Sequence, residues 1–282
     1  MSDQCFRFLL RERGVRAVGV RLKQPYQTVL ARGDYPAAVA RWLGEALAAA
    51  ALFAEHLKLD GSLSLQLQSG GVLRLLFAEN LGDGRLRGLA RLREGEAAPT
   101  ALPGPAEGAL LAINIKTRLG EPWQGIVAVD EGRLDRCCEA YFEQSEQLTT
   151  ALRLVADGER AAGLLLQRLP TPVPDAEGWN RLRATLDALD DATLLGTDPI
   201  ALMETHFADE RVELLGARDL SFGCPCGRER VDGMLQSLGV AEVEAALAES
   251  GTISVRCEFC NAAYHYGPAE AAALFVAPAP GP

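Results

Sequence analysis

The chain has 282 residues, 48% of them hydrophobic, and a formal net charge of −10. That length allows one large domain or two smaller ones with a sizeable core, and an acidic surface repels phosphate backbones and anionic lipid, which argues against nucleic-acid and membrane partners. The first residues, MSDQCFRFLLRERGVR, contain neither the long apolar run nor the small-residue cleavage site of a signal peptide, so a cytoplasmic protein is expected.

In chain order, Val18, Val20 and Leu22 alternate as in a strand within 15–22. Residues 35–58 read as an amphipathic helix with Val39, Trp42, Leu43, Leu47, Ala50, Phe53 and Leu57 on one face; its uncharged part is too short for a bilayer. After the turn at Asp60-Gly61, alternating Leu63, Leu65 and Leu67 open an antiparallel meander that reverses at Gly70-Gly71 and again at Gly82-Asp83-Gly84. Two more strands are expected within 108–116 and 123–130, then a helix capped by Asp135 running to about Leu148, then a buried strand within 163–170. Residues 1–174 thus read as an α+β domain with a mainly antiparallel sheet.

The Pro-rich run 170–178 marks a boundary. Beyond it, 175–221 reads as a helical linker. Trp179, Leu182, Leu186 and Leu189 share one face, and Asp198-Pro199 forms an N-cap and N1 pair. Helices this short and acidic must lean on another surface. A small C-terminal domain, 222–275, follows with two helices (near 228–238 and 241–249) and two strands, and 276–282 reads as a loose tail.

Seven cysteines stand at 5, 137, 138, 224, 226, 257 and 260, four of them clustered near the end. Cys224-x-Cys226 and Cys257-x-x-Cys260 offer four thiolates in two tight pairs, enough for one tetrahedral Zn²⁺. Pro225 fixes a backbone angle in the sharper of the two turns. Spacing alone leaves open whether such a zinc is an inert staple or part of a switch. It does argue against a thioredoxin-type enzyme, which needs its Cys-x-x-Cys in a βαβ setting, and against a zinc hydrolase, which needs an open position and usually histidine ligands. Small modules often depend on their metal for stability, so oxidation of the ligands would unfold this one. Cys137 and Cys138 fall in the first turn of an expected helix, where a thiol is acidified, although unpaired cysteines are more often plain buried residues. His265 is near the fourth cysteine, while His56 and His206 read as packing or surface residues.

The cysteine quartet, together with LKLDGSLSLQLQSGG (57–71), RLRGLARL (85–92), AYFEQSEQL (140–148) and GLLLQRLP (163–170), resembles the redox-regulated heat-shock chaperone family known as the 33 kDa chaperonin, over essentially the whole chain. The resemblance implies an ATP-independent holdase, not an enzyme. It implies one Zn²⁺ held by Cys224, Cys226, Cys257 and Cys260 in an idle reduced form. Oxidation would form the disulfides Cys224–Cys226 and Cys257–Cys260, release the metal, unfold the zinc domain and linker, and yield a homodimer that binds unfolding proteins. Bridging i to i+2 is strained, and strained disulfides are readily reduced. The linker's apolar anchors (Trp179, Leu186, Leu194, Leu195, Met203, Phe207) among acidic residues suit exposure of adaptable apolar surface. No Walker-type phosphate loop is present. Two departures stand out: Thr149 where the family pattern leads one to expect proline, and Pro225 itself. The alternative reading is a constitutive, zinc-stapled binding or adaptor protein.

Overall fold

In the computed structural model, which describes residues 3–57, 60–118, 120–129, 132–170 and 175–275, the chain divides into two units, one ending at Gly223 and one beginning at Cys224. The first unit opens with β1 (Gln4–Leu10), β2 (Val15–Leu22), α1 (Gln24–Leu30), α2 (Ala37–His56), β3 (Gly61–Gln68), β4 (Leu73–Asn80) and β5 (Arg85–Leu92). It continues with β6 (Leu110–Thr117), β7 (Trp123–Ala128), α3 (Leu134–Tyr141), β8 (Thr150–Ala156) and β9 (Ala161–Arg168). Three helices follow, α4 (Ala176–Ala188), α5 (Asp191–Gly196) and α6 (Pro199–His206), then β10 (Val212–Asp219) and β11 (Ser221–Phe222).

These strands form a five-stranded sheet in the order β10-β1-β2-β9-β8 and a six-stranded sheet in the order β11-β5-β4-β3-β6-β7. All pairings are antiparallel except the short one of β11 with β5. Helix α2 is buried between the two sheets. Its alanines at 46, 48, 49, 50, 51 and 54 let both sheets come close, and Leu43, Leu47, Leu52 and Phe53 fill the spaces between. In length and composition α2 would suffice to cross a bilayer, contrary to the sequence-based expectation; its burial between two sheets accounts for that apolar character.

Because side chains alternate along a strand, the five-stranded sheet has two apolar faces. Val18, Val20, Leu152, Leu154 and Leu165 face α2, while Phe8, Val15, Leu164 and Leu166 face α4–α6. The unit is therefore built in four layers: sheet, helix, sheet, helices. The helices lean on the sheet through Trp179, Leu182, Leu186, Leu189, Leu194, Leu195, Met203 and Phe207, all buried. At Gly19 on β2 an added Cβ would lie 2.9 Å from the Pro199 Cβ, so only glycine lets α6 approach this closely. Asp198 caps α6 by accepting from the Ile200 N–H, with Pro199 in the first turn, as expected from sequence.

Four expectations need restating. Asp135 is not the cap of α3; that position is Arg133, whose guanidinium makes two hydrogen bonds (3.1 and 2.6 Å) to the buried Asp135 carboxylate. The helix does not continue regularly to Leu148 but widens into a π-turn at Phe142–Glu146, ended by Gln147 in the left-handed region (φ +56°). The stretch read as a helical linker is helical only to His206; β10 then pairs with β1 along the sheet edge. Residues 171–174 of the Pro-rich boundary and the tail 276–282 lie outside the described residues.

The second unit comprises α7 (Arg228–Leu238), α8 (Val240–Ser250), β12 (Ile253–Arg256), β13 (Ala263–Tyr266) and α9 (Pro268–Ala273). Its core is small: Val231, Leu235, Val243, Tyr266 and Ala271.

Candidate metal centre

Two backbone turns deliver four sulfurs to one place. Cys224 and Cys226 immediately precede α7, whose first turn begins after Gly227. Cys257 and Cys260 sit on the reversal between β12 and β13. That reversal is closed by Cys257 N–H donating to the Ala262 carbonyl (2.9 Å) and Asn261 N–H donating to the Cys257 carbonyl (2.8 Å). Asn261 takes the left-handed conformation (φ +60°), which asparagine tolerates better than most residues. All four Sγ atoms lie within 4.8 Å of one another. Cys224 and Cys257 approach to 3.6 Å, and Cys226 and Cys260 to 3.1 Å.

A tetrahedral ion with Zn–S bonds of about 2.3 Å needs sulfurs about 3.8 Å apart, and the observed spacing fits it. The donor set fits as well, because four soft sulfurs suit zinc better than magnesium or calcium. Protonation follows the same logic. Burial works to raise the Cys226 thiol, but hydrogen bonds from Tyr264 and with the other cysteines bring it down to about 7. Burial, with contributions from hydrogen bonding, raises Cys224 and pushes Cys260 up to about 12. Thiols this close share protons unequally, and a divalent cation would replace those protons.

The groups around the sulfurs brace the site. The Tyr264 hydroxyl donates to Cys226 Sγ at 3.4 Å, which pushes the phenol itself up to about 12. Tyr266, fully buried, donates to Asp232 Oδ1 at 2.6 Å and lies under the Arg228 guanidinium, 4.4 Å from the ring centroid. Arg228 also pairs with Glu270 at 2.6 Å, so its charge is directed to α9. The four cysteines themselves are only half-buried, within reach of a small oxidant.

The other candidates separate from this cluster. Cys5 is completely buried on the α2 side of β1. Cys137 and Cys138 are buried in α3, and burial together with neighbouring negative charges drives the Cys138 thiol well above its ordinary value, opposite to the acidification expected of a helix start. His265 is exposed on β13 and His206 is exposed at the end of α6. His56 is buried against Phe142, and burial lowers it to about 4. Among the described residues, the metal-ligating cluster consists of the four cysteines alone.

A family model described as "Hsp33 protein" matches residues 3–267. The chain belongs to the Hsp33 family. It is 42% identical over 282 residues to the 33 kDa chaperonin of Ectopseudomonas mendocina, covering 98% of this chain and 96% of that protein. It is 38% identical over 280 residues to the 33 kDa chaperonin of Methylobacillus flagellatus, covering 98% and 95%. The crystal structure of the Thermotoga maritima Hsp33 homologue superposes with a TM-score of 0.82, at 20% identity, over 97% of this chain and 98% of that one. The chain is thus an Hsp33-family chaperone with a mixed, largely antiparallel fold, a helical region and a four-cysteine cluster near its C-terminus.

Proposed function

We propose that this Hsp33-family protein is a cytoplasmic, ATP-independent holdase switched by the redox state of its cysteine cluster, without enzymatic activity. The supporting observation is the cluster's setting: four half-buried sulfurs spaced for one metal ion, in a unit with only five buried core residues among those described, the other apolar side chains packed on them being partly exposed. Such a core does not by itself outweigh the entropy of ordering the chain. A Zn²⁺ held by Cys224, Cys226, Cys257 and Cys260 supplies the missing folding free energy, about 10–16 kcal/mol in small zinc modules.

In the reduced state the four thiolates are ligands, the unit is folded and the protein is idle. Each disulfide then forms from two of these thiolates, one hydrogen peroxide and two protons from solvent, giving one S–S bond and two waters and leaving the Zn²⁺ two ligands short. Two such steps consume all four ligands. The proposed products are Cys224–Cys226 and Cys257–Cys260. In the folded unit the close sulfur approaches cross between the two pairs, so local pairing follows once the unit loosens and closeness along the chain takes over. Loss of the unit's fold leaves the chain beyond Phe222 without a folded anchor, and the 175–221 segment opens, exposing apolar surface to unfolding proteins; the oxidised form is a homodimer. The test measures zinc release and suppression of client aggregation before and after peroxide. Equal suppression in both states, or retained zinc with intact thiolates, would show a constitutive zinc-stapled binding protein instead.

A further inference from the structure

The outer face of the five-stranded sheet, covered by α4–α6, carries charge as well as apolar surface. Its floor includes Phe6, Phe8, Leu10, Val15, Leu164 and Leu166. Arg21 on β2 and Arg153 on β8 rise from that same floor, since they share the alternation of Val15 and Ala17 and of Ala151 and Val155. Both are well shielded: Arg21 is 7% exposed and the Arg153 side chain 14%.

Every one of the helical layer's contacts to these cations is an acceptor. Arg153 donates to Asp191 (2.7 Å) and to the Leu189 carbonyl at the end of α4 (3.3 Å). Arg21 reaches the Gly196 carbonyl at the end of α5 (3.5 Å), and no carboxylate pairs with it among the described residues. At the margin, Arg136 on α3 pairs with Asp187 (3.1 Å), and Arg13 pairs with Asp175 (2.9 Å). The sheet thus offers an apolar floor from which Arg21 and Arg153 stand, and over those two cations α4–α6 set apolar side chains, a carboxylate and carbonyl ends; at the α3 margin the pairing runs both ways, since Arg183 of α4 also meets Glu139 (3.1 Å).

From this complementarity we infer that the uncovered face is a docking surface selective for apolar polypeptide segments flanked by Asp or Glu. The inference rests on the proposed opening of the 175–221 segment. Once α4–α6 leave, Arg21 and Arg153 lose the acceptors that α4 and α5 supply, while still standing on an apolar surface. A guanidinium in such a setting binds carboxylate in directed hydrogen bonds more strongly than in open water. A segment with basic ends meets like charge there and is rejected.

The experiment uses full-length oxidised protein and titration calorimetry with peptides that share one Leu/Ala/Trp centre and end in Asp pairs, Ser pairs or Lys pairs. The Asp-ended peptide is expected to bind about tenfold tighter than the Ser-ended one, with the advantage shrinking as salt is added, and the Lys-ended peptide weakest. Replacing Arg21→Gln and Arg153→Gln together removes the advantage and leaves the Ser-ended affinity in place. Equal binding of Asp- and Ser-ended peptides, or an advantage that survives the double replacement, overturns the inference. Hydrogen exchange of residues 176–206 reports separately whether oxidation uncovers the face. If those amides stay protected, the redox reading fails. The selectivity is then decided on reduced protein opened by Leu186→Ser with Met203→Ser.

Discussion

Tyr264 and Cys226 are joined by a 3.4 Å hydrogen bond in which a phenol donates to a sulfur of the four-cysteine cluster. Hydrogen bonds to charged groups contribute about 1.5–3 kcal/mol, and they draw electron density from a thiolate. Tyr264→Phe keeps the ring and removes the donor. The expected outcome is about tenfold weaker metal affinity and faster alkylation of Cys226, with the second unit still folded in the metal-loaded protein. Competition with a chromophoric chelator measures the affinity, and mass spectrometry of alkylated peptides measures the rate.

Cys257→Ser removes one of four sulfurs that lie within 4.8 Å of one another. Bound metal is expected to fall from one equivalent toward none, and amides of 224–275 to lose hydrogen-exchange protection. Amides of α2, buried between two sheets, keep theirs. Chelation of metal from the unaltered protein should reproduce the pattern. Protection throughout 224–275 after complete metal removal would show that the five-residue core suffices.

Leu186 on α4 is fully buried against the five-stranded sheet. Leu186→Ala creates a cavity costing about 2–5 kcal/mol, and that loss falls on the α4–α6 layer, not on the α2 core. Limited proteolysis should cut within 176–206 in the reduced, metal-loaded variant while the rest of the first unit resists. Aggregation assays should show partial holding activity without oxidant.

Glu45 on α2 is half-buried, and desolvation pushes its carboxyl up to about 8; the charge of Asp135 adds to the rise, while Arg133 and Arg41 oppose it. Its ordinary value is 4.5, so between the two values the folded protein holds a proton that the unfolded chain has released. The stabilisation is therefore present below about pH 4.5 and lost as pH rises through about 8. Glu45→Gln carries no charge at either end of that range. Thermal melts should show the variant close to the unaltered protein at pH 5 and more stable than it at pH 9.

Much of this architecture is legible in the amino-acid order because burial leaves a pattern. The alternation of Leu63, Leu65 and Leu67 marks β3, and the apolar spacing within 35–58 marks a helix, although that spacing points to one apolar face where the structure buries the helix between two sheets. The cysteine quartet is legible from spacing alone, since thiolates i to i+2 and i to i+3 apart have few uses other than a shared metal. β10 is not legible in this way. It lies on a sheet edge with most of its residues exposed, so Leu214 and Leu215 follow one another with no alternation, and the register with β1 skips Leu215, between Leu214 opposite Phe8 and Gly216 opposite Arg7. Tyr264 escaped for a different reason: only the reversal between β12 and β13 carries its hydroxyl back over Cys226. Arg21 and Arg153 look like ordinary outward strand residues until a fourth layer is seen to cover that side of the sheet.

Helices α4–α6 are part of the same chain as the sheet they cover, following β9 and preceding β10. A segment tethered along the chain in this manner never dilutes, and its effective concentration at the face it covers is set by the tether rather than by the protein's concentration. In the proposed cycle, a bound client competes with this internal rival from the moment it arrives. Re-reduction and return of the metal restore the rival's fold, and the client is displaced by mass action, with no nucleotide hydrolysed.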